Sequence, residues 1–174
     1  MKKISEKGAI ALLKKYSGDE GAFKGVLKHS KAVQKLALGI GKNAKDVNLD
    51  FIKSASLLHD IGRFQCGPDA IKHGIIGGDI LRKEGLPEHA LVAERHLGAG
   101  ISKEDIAEEG LELPLGDYIP VSKEEKIIAH ADNLVFNTRV GSVEEAVERF
   151  DKELGEKVGR KVRKLADEVE ELCR

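Results

Sequence analysis

A chain of 174 residues is the size of one ordinary domain and is long enough to bury a core. Hydrophobic residues make up 41% of it, aromatics only 4%, and Trp is absent, so the core must be aliphatic; with 34% charged residues, this palette fits an all-helical protein better than a β-sandwich. The net charge of -1 excludes a broadly basic surface for nucleic acid or membrane, so an anionic substrate must be held by a local site.

The opening, MKKISEKGAI, has too short an apolar stretch for a secretory leader, and no run approaches the roughly 20 apolar residues of a membrane span. Residues 6–16 follow Ser5 and place Ile10, Leu12, Leu13 and Tyr16 on an amphipathic helix that Gly18 breaks. Residues 22–41 carry Phe23, Val26, Leu27, Val33, Leu36, Ala37 and Ile40 at helical spacing. Asn48 can cap a third helix running to Asp60, with Gly62 at or just beyond its end. The stretch RFQCGPDAIK reads as a loop around Gly67 and Pro68. A fourth helix opens at His73 in HGIIGG and closes at Gly85, and Pro87 sits at the first position of a fifth, PEHALVAERHLG.

Ser102 opens the short helix KEDIAEE, and GLELPLGDYIP reads as irregular. Ser122 with Glu125 and Ser142 with Glu145 match capping boxes, the first ahead of KIIAHADNLVFN. The second opens a charged C-terminal helical segment, residues 143–173, with Gly155 and Gly159 as points of bending. No strand, repeat or domain boundary is expected, and residues 1–174 read as one domain. Cys66 and Cys173 lie far apart outside any CxxC pair, which points to a reduced, cytoplasmic setting.

Polar residues inside the apolar stripes carry the functional signal. His59 and Asp60 follow the run SASLL, and a carboxylate there is costly unless it is paired or bound to metal. By itself the pair could also be a polar helix tip. His29, in VLKHSKAV, falls near the Val26–Val33 stripe and can face the third helix. Asp132, in IIAHADNLV, stands in the middle of an apolar helix, where a buried carboxylate calls for a cation. His29, His59, Asp60 and Asp132 together make a mixed nitrogen and oxygen set. It suits divalent Fe, Mn, Ni, Co or Zn better than Ca, and takes Mg less readily. His89, in the first turn of its helix, reads as a surface residue. His130 lies about 200° round the helix from Asp132 and reads as structural, or as a support behind the ligands.

The pieces KHSKAV, LLHDIGR and AHADNLV, in the order H…HD…D, resemble the HD superfamily of metal-dependent phosphohydrolases over about residues 20–140. The first helix and the charged C-terminal segment lie outside this motif-bearing part. With His73 and His96 between HD and the last Asp, the pattern is similar to two-metal members such as diadenosine tetraphosphate hydrolases. It is more distantly similar to the HD-GYP phosphodiesterases, but lacks their GYP motif and adjacent histidine pair.

The resemblance implies an all-α, single-domain HD-type bundle that holds two ions. One would sit on His29, His59, Asp60 and Asp132, the other on Asp60, His73 and His96, with Asp60 bridging. His73 and His96 also have plain readings, as an exposed helix start and as a histidine on a helix C-terminus. The implied reaction is attack of metal-bound hydroxide on a phosphate ester or anhydride of a nucleotide or dinucleotide, with Asp60 and Arg63 catalytic. No P-loop, GxSxG or CxxC offers competing chemistry.

Arg63 directly after HDIG, Lys72 beside His73, Arg95 beside His96, and Arg139 beyond Asp132 are candidate phosphate clamps. Asp69 is a candidate proton donor. Two other readings share these ligands: a di-iron oxygenase on the HD scaffold, and a non-catalytic metal-binding regulatory module that uses the C-terminal helix for partners. Homo-oligomerisation stays open.

Overall fold

The computed structural model describes residues 3–174. In chain order it runs α1 (Glu6–Tyr16), α2 (Glu20–Gly41), α3 (Leu49–Leu58), α4 (His73–Lys83), α5 (Pro87–Arg95), α6 (Lys103–Glu109), α7 (Lys123–Leu134), strands β1 (Val135–Phe136) and β2 (Arg139–Val140), α8 (Val143–Leu154) and α9 (Glu156–Leu172). Two 3-10 turns, Ile61–Phe64 and Ala70–Lys72, separate α3 from α4. The fold is all-α.

Local chemistry sets the helix starts. The side chains of Ser5, Asn48, Ser102, Ser122 and Ser142 each accept a first-turn N–H, satisfying a donor that the helix leaves free. Asp19 does the same for α2, which begins two residues before the start that hydrophobic spacing suggests. Ser142 and Glu145 form the full reciprocal box. Ser122 makes only half of one, because the Glu125 carboxylate instead accepts the Val121 N–H and a hydrogen bond from Arg95, both at 2.9 Å.

Three expectations are corrected. The third helix stops at Leu58: His59 caps it, and Asp60 leaves helical geometry at φ -98° and ψ 10°. The seventh stops at Leu134, and the chain then forms a small antiparallel hairpin pairing Val135 with Val140 and Phe136 with Arg139. The β-branched and aromatic residues around Asn137, which takes a left-handed φ of 59°, favour this turn over another turn of helix. The C-terminal segment is two helices, broken where Gly155 takes φ 90° and ψ 158°, a region closed to other residues. Leu165 and Val169 of α9 lie in the same core as Val33 of α2, Ile52 of α3 and Ile128 of α7, while Ala146 and Val162 pack with Leu134.

A second cluster joins Leu13 of α1, Leu57 and Leu58 of α3, Ile61, Ile80 and Leu81 of α4, and Ala93 of α5. Helices α3 and α5 contribute to both clusters, and each ends in a buried histidine. Glycines let the backbones there approach closely. A Cβ on Gly62 would run into the carbonyl of His73, and one on Gly74 would stand 2.8 Å from the Ala93 carbonyl oxygen. The turn after Asp60, the start of α4 and the end of α5 are thereby drawn together. Among the described residues no helix is long and apolar enough to cross a membrane.

Candidate metal centre

Three of the histidines sit where a helix or turn ends. His59 caps α3, His96 caps α5, and His73 caps the 3-10 turn that precedes α4. Helix ends leave carbonyls without N–H partners. His59 Nδ1–H donates to Ser56 O and His96 Nδ1–H to Ala93 O, each at 2.7 Å, and His73 Nδ1–H donates to Ala70 O. His29 lies within α2 and is anchored differently, its Nδ1–H donating to Asn137 O in the hairpin turn at 3.1 Å. A carbonyl only accepts, so each ring keeps its proton on Nδ1 and, when neutral, presents a bare Nε2 lone pair.

These Nε2 atoms converge on two carboxylates. His29 Nε2 lies 2.9 Å, and His59 Nε2 3.4 Å, from Asp132 Oδ1. Both stand 3.6 Å from Asp60 Oδ2. On the other side, His73 Nε2 and His96 Nε2 stand 3.0 and 3.5 Å from Asp60 Oδ1, and 3.0 Å from each other. Asp60 thus turns one oxygen toward each pair of histidines.

Asp60, His59, His73 and His96 are almost wholly buried, and Asp132 is half-buried. His59 Nε2 and Asp60 Oδ1 are buried with no hydrogen-bond partner. Lone pairs facing one another at these distances repel unless positive charge lies between them, so the donor set fits divalent ions. His29, His59 and Asp132 offer ligand atoms within 4.8 Å of one another, as do His59, Asp60 and His96.

The electrostatics agree. Burial works against a charged His59, yet Asp60 and Asp132 beside it win and hold it up at about 9. Burial would raise both carboxylates, but the neighbouring imidazoles hold them well below the usual range. Burial lowers His96. The pocket draws positive charge.

The cluster opens on a cleft of about 620 Å³ whose lining includes His29, Asp60 and Asp132. Arg63 also lines it and donates from Nε to Asp60 Oδ2 at 2.6 Å. The structure does not bring the other three candidate clamps there. Lys72 pairs with Asp69 at 2.8 Å and Glu112 at 2.7 Å, which occupies the proposed proton donor as well. Arg95 pairs with Glu125, and Arg139 grips Glu145 through both terminal nitrogens.

His89 is not on the surface. It is buried, with Nε2 2.9 Å from Ser54 Oγ and its ring edge-on to Phe51, and burial pulls it down to about 4. His130 is buried off the ligand face, and burial lowers it to about 4. Lys28, Arg149 and Phe150 also line the cleft. Lys28 adjoins His29 in the sequence, a signal that was there to use. Arg149 and Phe150 come from α8, and nothing local marks them.

The HD domain family model matches residues 26–137, which hold all six converging residues. An uncharacterised protein of Methanocaldococcus jannaschii is 42% identical over 148 residues, covering 84% of this chain and 85% of that one. A tRNA (cytidine(56)-2'-O)-methyltransferase of Thermoplasma volcanium is 38% identical, covering 92% of this chain but 45% of its own length. The protein of the same name from Picrophilus torridus is 32% identical, covering 85% and 42%. This chain therefore spans less than half of either methyltransferase. No solved structure matches.

Proposed function

The chain belongs to the HD domain family, and from that premise we propose that it is a metal-dependent phosphohydrolase acting on a phosphate ester or anhydride of a nucleotide. The observation that carries this is the pair of partnerless buried atoms, His59 Nε2 and Asp60 Oδ1, inside a ring of imidazoles whose Nδ1 atoms are all tied to carbonyls. His29, His59, Asp60 and Asp132 would hold one ion, and Asp60, His73 and His96 a second, the two oxygens of Asp60 facing one set each. Such ions make water acidic enough to ionise near neutral pH and neutralise phosphoryl oxygens.

The protein's own groups have separate tasks. The carbonyl anchors fix the rings, which keeps the ligand geometry from relaxing. Arg63, bound through Nε to Asp60, has its two terminal nitrogens left to meet a phosphoryl oxygen at the cleft. The methyltransferase name belongs to relatives of which this chain matches less than half. We read the shared part as a companion hydrolase domain, and the tRNA in those names as support for a nucleotide-borne phosphate.

The test is metal analysis joined to turnover. Protein stripped of metal and reloaded with Mn, Fe, Co, Ni, Zn or Mg is offered phosphomonoesters, phosphodiesters and dinucleoside polyphosphates under anaerobic conditions. Hydrolysis without oxygen supports the proposal. Turnover that needs oxygen and cleaves no phosphate bond overturns it in favour of oxygenase chemistry.

A further inference from the structure

Arg149 is a half-buried cation of this cleft, whereas Lys28, which also lines it, is exposed. It lies on α8, beyond the segment that carries the HD match, yet lines the same cavity as His29, Asp60 and Asp132. Lys72, Arg95 and Arg139 each sit on a carboxylate. Arg149 has no carboxylate partner among the described residues; its contacts are one hydrogen bond to Asn133 O at 3.1 Å and two aromatic rings. Its guanidinium carbon stands 4.6 Å from the ring centre of Phe136 and 4.6 Å from that of Phe150. Glu153, one turn further along α8, lines the cleft too but is not paired with it.

Two rings and one carbonyl hold the guanidinium plane in place, so little side-chain freedom remains to be lost when an anion arrives. The N–H groups not used by Asn133 have no protein acceptor among the described residues. A half-buried, immobilised cation without a counter-ion beside an anion-binding centre is a site awaiting negative charge. On the phosphohydrolase reading Arg63 and the ligand residues take one phosphoryl group, and Arg149 reaches the cleft from a different element, α8.

We propose that Arg149, clamped between Phe136 and Phe150, binds a second phosphoryl group of the substrate, so that this cleft selects compounds carrying two phosphoryl groups over simple monoesters. The inference rests on the phosphohydrolase reading for the place of the first group, but its test needs no turnover. The probes are methylenediphosphonate and methylphosphonate, whose P–C bonds resist hydrolysis, titrated calorimetrically into manganese-loaded full-length protein.

The diphosphonate should bind more tightly than the monophosphonate. Arg149→Met, which keeps an apolar stem between the rings, should cut diphosphonate affinity on the order of tenfold while leaving monophosphonate affinity and metal content unchanged. Equal loss for both probes, or loss for neither, overturns the proposal. If the Met variant unfolds at a markedly lower temperature, Arg149→Gln carries the same comparison. A protein that discriminates the probes through Arg149 yet hydrolyses no phosphate compound would sink the proposed activity and leave this anion site standing.

Discussion

At the scale of single residues, the difference between Asp60 and His96 makes a sharp prediction. Asp60 turns an oxygen to each histidine pair, while His96 faces only one. Asp60→Ala should therefore lose both ions, whereas His96→Ala should keep the one on His29, His59 and Asp132. Metal analysis after dialysis decides; an Asp60→Ala protein that keeps a full complement would remove Asp60 as the bridge.

His89 gives a prediction about pH. Its unfolded ring takes up a proton near 6.5, its folded ring only near 4. Between those values the unfolded chain holds more protons, so stability present above pH 6.5 is lost as pH falls through 4, by at most about 3 kcal/mol from this group. His89→Gln, whose amide can still donate to Ser54, should flatten that part of the stability curve. Urea unfolding at several pH values measures it, and an unchanged slope would mean that His89 does not titrate as its burial demands.

Side-chain identity singled out the six residues that converge but not the burial of His89, which Phe51 and Ser54 supply from another helix. It also could not separate useful cations from neutralised ones. Arg95 and Glu125 are 30 residues apart, and Lys72 and Glu112 are 40 apart.

At the scale of elements, caps were legible because their chemistry spans three residues, as at Ser5, Asn48 and Ser142. Helix ends were less so. The hairpin after α7 interrupts an apparently continuous pattern, and it matters to the site because its Asn137 carbonyl holds His29. Gly62 shows how element contacts reach the chemistry. Gly62→Ala pushes against the His73 carbonyl, so stability should fall by about 1–3 kcal/mol, as in other overpacked sites. The ion assigned to His73 and His96 should also be retained less well than the other. Chemical denaturation and metal titration test the two halves separately, and an Ala variant as stable as the parent would mean that the turn has room to move.

Ser142→Ala is the complementary case. It removes a box far from the ligands and should lower stability by about 1 kcal/mol without altering metal content. Loss of metal in that variant would show that α8 supports the ligands directly.

At the scale of the whole molecule, α8 lines the cleft and α8 and α9 complete the core. Burying a Val or Leu is worth about 1.5–3 kcal/mol, and Val162, Leu165 and Val169 all leave water when α9 docks. A chain ending at residue 142 should consequently fail to give a sharp thermal transition and should aggregate. A truncated protein that melts cooperatively would show that the core is complete without these helices. Chelation should act in the same direction more gently, lowering the melting temperature of the intact protein because ions bind the folded state alone.

The six converging residues lie within the segment matched to the HD family, while Arg149 and Phe150 lie on the helix after it. On the proposed reading the metal-holding residues lie on the matched segment and the selecting cation on α8, although Asn133 and Phe136, which hold Arg149, belong to the matched segment. On that reading a lineage would acquire a new preference by changing the cleft face of α8 alone, with the core face of that helix and the six converging residues kept as they are. Exchanging only those cleft-facing residues between relatives should carry substrate choice with it and leave metal stoichiometry where it was.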